Sequence, residues 1–163
     1  MNNEIHSLIS RFENVNTGAP WFGRAVYKIL EEVDPKKVHI NPTYPTGNST
    51  NPQHSMAQLL YHMITWADFT LKRIEKDKVY DLAATEEMDW REINPKVHDW
   101  KKGLMEFKEI QNKIIELLKN KKDVFLEEKV DYRNYNFRFL INGMIEHTIY
   151  HLGQIAYLKK LLA

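Results

Sequence analysis

Apolar residues recur at three- and four-residue intervals over four long stretches of this chain, the spacing of a buried helical stripe. Ile5, Leu8, Ile9 and Phe12 open the first stretch. Thr17-Gly18-Ala19-Pro20 interrupts it with a breaker and then a proline suited to restarting a helix. Phe22, Ala25, Val26, Ile29, Leu30 and Val33 resume the pattern until Asp34-Pro35, where the residue before proline is pushed out of helical geometry. A second helix is predicted from about Gln53 to Lys76, with Leu59, His62, Trp66, Phe69 and Arg73 on one stripe. A third, near Asn94 to Lys119, aligns Trp100, Leu104, Phe107, Gln111, Ile114 and Leu118. The last, near Tyr135 to Leu162, aligns Leu140, Met144, His147, His151, Ile155 and Leu158.

The connections are long and polar. Asn41 to Pro52 carries three prolines and a glycine, and loops of such length are uncommon unless functional or mobile. Asp77 to Asp89 is acidic and aperiodic, and Asn120 to Asn134 reads as an irregular crossing anchored by Phe125, Leu126 and Val130. No stretch alternates with the period of a strand. The expectation is an all-α four-helix bundle with long crossover connections, one domain spanning 1–163.

The chemistry concentrates in the last helix. His147 and His151 stand at i and i+4, so their imidazoles share a face. From spacing alone the pair reads two ways. It is the start of a metal site, since neutral imidazole binds most first-row transition metals, or it is two core histidines satisfied by hydrogen bonds. His62 lies one turn before Trp66 on the stripe of the second helix. If that helix packs against the last one, three imidazoles converge and leave positions open for water or substrate.

The segments "LLYHMITWADFTLKRI" and "GMIEHTIYHLGQIAYLKKLL", with "GAPWFGRAV" at Gly18 to Val26, resemble the DinB-like superfamily, which includes metal-dependent four-helix proteins of the bacillithiol-transferase type. The resemblance implies a metal triad of one histidine in the second helix and an HxxxH pair in the last. Carried over by position, the ligands are His62, His147 and His151, and the ion is divalent, zinc or nickel. It further implies a thiol transferase that moves a low-molecular-weight thiol onto an electrophile, and a homodimer. Metal-assisted hydrolysis and a non-catalytic metal-bound stress-response protein are the alternative readings.

Other residues are weighed against that site. Gln154 follows His151 by three residues and is a candidate to orient an imidazole or a metal-bound water, or else makes an ordinary interhelical bond. Glu146 is rotated by about 100 degrees from His147 and suits a neighbouring helix better than a general base. His54 is turned by about 80 degrees from the His62 face, which argues against joint ligation. His6, His39 and His98 occur singly. Tyr61 and Tyr150 favour packing roles, and Trp21 and Trp66 read as core residues or pocket walls.

Composition narrows the partners. With no cysteine, any thiol in a reaction comes from outside, so a small-molecule substrate is expected. A formal net charge of +1 supplies no field for phosphate backbones, so no nucleic acid is expected. Neither a secretory leader nor a membrane-length apolar run is visible, which points to a cytoplasmic protein that does not enter a membrane. Four Trp, eight Tyr and seven Phe are many for one small core, a second motive for a homodimer.

Overall fold

The structure is a computed structural model that describes residues 3–42, 54–77 and 82–163. Among these residues it is helical, with no strand. The helices are α1 (Asn3–Thr17), α2 (Val26–Glu31), α3 (Met56–Glu75), α4 (Leu82–Glu87), α5 (Trp100–Lys119) and α6 (Phe137–Leu161), with a 3₁₀ turn at Asp123–Glu127. The four long helices α1, α3, α5 and α6 make the expected bundle, with α3 packed on both α5 and α6 and α1 packed mainly on α5. The long loop expected at Asn41 to Pro52 lies mostly outside the described residues.

Helix starts are set by side-chain oxygens that satisfy free N–H groups of the first turn. Ser55 accepts from the Gln58 N–H at 3.2 Å, Asp99 from Lys102 at 2.9 Å and Asn136 from Phe139 at 3.0 Å. These caps place the start of α5 at Trp100, later than the apolar pattern implies. Residues before it turn on Asn94, whose carbonyl accepts from Val97 and His98. The pattern also overreaches at the second half of the first stretch. Gly23 sits at φ +135°, where an L side chain is strained, and its N–H donates to the Pro20 carbonyl at 3.1 Å. That turn throws Trp21 fully into solvent and delays α2 to Val26, so Trp21 is neither core nor pocket wall.

The buried apolar side chains of α1, α2, α3, α5 and α6 form one contiguous cluster, with Phe12, Leu30, Phe69, Phe107 and Ile141 among its most enclosed members. Phe125, Leu126 and Val130 are buried in it, as the anchors of the irregular crossing were expected to be. Their segment closes on the start of α6 through a pair of backbone bonds, Val130 N–H to the Tyr135 carbonyl and Phe137 N–H to the Glu128 carbonyl. Burial runs along the α3–α6 seam, and it is there that polar groups break into the core.

Candidate metal centre

His62 on α3 and His147 and His151 on α6 meet at one point. Their Nε2 atoms stand 2.8 Å (His62–His147), 3.0 Å (His62–His151) and 3.0 Å (His147–His151) apart. Nitrogens bound at about 2.0–2.1 Å to one ion stand roughly 3.0–3.4 Å from each other, so two of the distances lie at the short end of what a single ion sets and the His62–His147 distance falls just below it. His62 and His151 are buried and His147 is half-buried. Helical spacing brings the α6 pair together, and the packing of α3 on α6 supplies the third ring.

What lies behind each ring decides what it presents at the centre. His62 Nδ1 is 2.6 Å from a carboxylate oxygen of Asp89, and an anion there requires the proton on Nδ1. His151 Nδ1 donates to the Gln154 amide oxygen at 2.6 Å. With both Nδ1 atoms protonated in the neutral rings, two Nε2 lone pairs face each other 3.0 Å apart. They repel unless a cation lies between them. The donor set therefore fits a divalent ion, and fits a purely hydrogen-bonded core cluster poorly.

The rings are also held neutral. Burial pushes His147 down to about 3, helped by the two neighbouring imidazoles. Burial likewise pushes His151 down to about 4, with the Gln154 hydrogen bond acting the other way. Burial lowers His62 too, opposed by the Asp89 carboxylate.

Asp89 is the residue that the periodicity of the chain did not reveal. It lies in the irregular segment after α4 and also accepts from Trp66 Nε1 at 2.6 Å, so one buried and one half-buried donor fix its carboxylate. Beside it, Trp90 stacks on His62 with ring centroids 3.8 Å apart and on His54 at 3.9 Å. Trp90 thus separates His54 from the triad. His54 itself bonds Gln58 and takes no place among the converging nitrogens. Arg91 completes the tie to α3 by donating to the Tyr61 carbonyl at 3.1 Å. The only signal of this strap in the sequence is the run Asp89-Trp90-Arg91 closing a polar connection, and nothing in its spacing points to His62.

The remaining candidates sort out by position. Glu146 faces outward and pairs with Arg11 of α1 at 3.5 Å, the neighbouring-helix contact expected of it. The Tyr61 hydroxyl donates to the Asp99 carbonyl, away from the triad. Tyr150 is mostly exposed and meets His151 edge-on. Trp66 lines a cavity next to His147.

The family described as the DinB superfamily matches residues 22–155. The chain is similar in fold to the colibactin self-resistance protein ClbS, solved in complex with a double-stranded DNA. That match has a TM-score of 0.67 at 15% identity and covers 99% of this chain and 97% of the other. No curated protein matches the sequence. The ClbS complex overturns the expectation that nucleic acid is excluded, because a protein of this fold is solved on a DNA duplex. The physical reason is scale. Formal charge is summed over the whole chain, whereas a phosphate responds to charges within about 8–10 Å of it. Among the described residues no helix is long and apolar enough to cross a membrane.

Proposed function

Because this chain belongs to the DinB superfamily, we propose that His62, His147 and His151 hold one divalent ion, zinc or nickel, as the centre of a metal-dependent thiol transferase. The observation that carries the reading is the meeting of three Nε2 atoms within 3.0 Å of one another while two of the three Nδ1 atoms are tied to acceptors. When bound, a divalent ion supplies Lewis acidity that lowers the pKa of a thiol or water next to it. Asp89 and Gln154 orient His62 and His151 and keep their lone pairs on the inner side.

The choice of thiol over water rests on what the described residues lack near the triad. Hydrolysis needs a carboxylate or imidazole free to take a proton from water. Asp89 is committed to His62 and Trp66, and Glu146 to Arg11. A low-molecular-weight thiol ionises far more readily than water and makes a smaller demand for a base. The chain has no cysteine, so that thiol is a substrate.

The test combines elemental analysis with a panel of low-molecular-weight thiols and electrophilic acceptors, run beside ester and amide substrates. Wild type is expected to carry one ion per chain and to turn over thiol pairs. Alanine at His62, His147 or His151 should remove both metal and turnover. Full metal retention in all three single variants refutes the triad, and turnover that survives complete chelation refutes the mechanism.

A further inference from the structure

A cavity of about 180 Å³ opens between α3 and the first half of α6, directly beside the triad. Its lining includes His147, so cavity and triad share a residue. Trp66, Phe139, Leu140 and Met144 supply most of the rest, and carbon dominates the lining. The polar atoms on the α3 side are already spent. Trp66 Nε1 donates to Asp89, and Thr70 Oγ1 donates to the Trp66 carbonyl. A ligand here is recognised by shape and dispersion, with little to hold a charge or a sugar.

Gly143 makes the space. It lies in the interior of α6, where glycine weakens a helix relative to alanine. A Cβ built on it meets nothing within 4 Å, so no close backbone approach requires a glycine there. The missing side chain is what leaves the cavity open. Phe139, one turn before Gly143 on the same helix, is 64% exposed, an aromatic ring in contact with water where a ligand would cover it. An apolar cavity of roughly 150 Å³ is enough for one benzene ring, so the volume here fits a single planar ring.

We propose that this cavity binds the planar apolar ring, aromatic in class, of a small-molecule acceptor. The word acceptor rests on the thiol-transferase reading above, while the binding of the ring stands on the cavity alone. A ring seated against Trp66 and Met144 lies next to His147, so its substituents reach the triad without a further pocket.

The probe is toluene, titrated into metal-free and metal-loaded protein and followed by amide NMR shifts, with acetamide as a polar control. Saturable one-site binding is expected, with shifts centred on Trp66, Gly143 and Met144 and none from acetamide. Gly143→Leu fills the cavity with a residue that helices favour, and is expected to weaken toluene binding roughly tenfold or more while keeping full metal content. Phe139→Ala, at a largely exposed site, reads the same cavity one helical turn away and is also expected to weaken binding. Absence of saturable binding, shifts centred elsewhere, or unchanged affinity in both variants overturns the proposal. Toluene binding in a protein that takes up no metal leaves the ring site standing and removes the metal reading. Full metal uptake without toluene binding does the reverse.

Discussion

A histidine binds a metal through one ring nitrogen, and the hydrogen bond at the other decides whether the first has a lone pair to offer. Here Asp89 serves that role for His62 and Gln154 for His151. The Gln154 contact was legible because it is three residues from its partner on the same helix. Asp89 was not, since its contact with His62 joins an aperiodic segment to α3 and leaves no trace in local spacing. The same blindness placed Trp21 in the core or at a pocket, when a turn closed by Gly23 exposes it. The two supports are expected to differ in weight. Asp89→Asn keeps the shape but removes the charge, and metal affinity should fall by about 10–100-fold with the fold intact. Gln154→Ala removes a neutral acceptor and should cost less. Competition with a chromophoric chelator measures both. Unchanged affinity in Asp89→Asn would show that His62 is positioned by packing alone, through its stack on Trp90.

A helix is legible where a stripe and a cap agree, and is hidden where a turn residue overrides the stripe. Ser55 and α3 show the first case, since the cap falls where the apolar period begins. Gly23 and α2 show the second. The far end of α3 holds a local conflict of another kind. Lys76 terminates the helix in left-handed backbone at φ 57°, while its N–H donates to Arg73 and the next N–H, of Asp77, donates to Lys72. That bond pair marks a helix terminus normally built on glycine, because a Cβ in this region costs roughly 1–2 kcal/mol. Lys76 also reaches Glu128 at 2.7 Å, but the pair is solvent-exposed and adds little. Lys76→Gly is therefore expected to stabilise the protein by about 0.5–1 kcal/mol, after allowing for the greater freedom of glycine in the unfolded chain. Urea unfolding measures it. A loss of stability would mean that the Glu128 contact outweighs the backbone relief.

At the scale of the whole molecule the sequence carried the fold, because amphipathic stripes are periodic and a bundle buries them together. It did not carry the partners, because net charge averages over the surface that a partner meets locally. The triad couples the bundle to its environment, and stability is where that coupling is read. In the metal-free protein His147 and His151 hold their protons only below about 3 and about 4, against an ordinary value of 6.5. As pH falls through about 6.5 the unfolded chain takes up protons that the folded chain refuses. The stabilisation is thus fully present above that pH and is lost progressively down to the folded values. A bound ion adds stability by mass action, about 2.7 kcal/mol at a hundredfold excess over Kd, or roughly 5–10 °C in Tm for a chain of this size. Since His147 and His151 stay neutral well below pH 6.5 in the folded chain, and burial lowers His62 as well, protons compete little for the folded site there. Melting curves with and without zinc should fall together from pH 7 to about 5 at a nearly constant separation, and converge only towards pH 4. Convergence already near pH 6.5 would mean that the imidazoles titrate as exposed side chains. The lone pairs would then not be confined at the centre of the α3–α6 seam, and the case for a metal there would lose its physical basis.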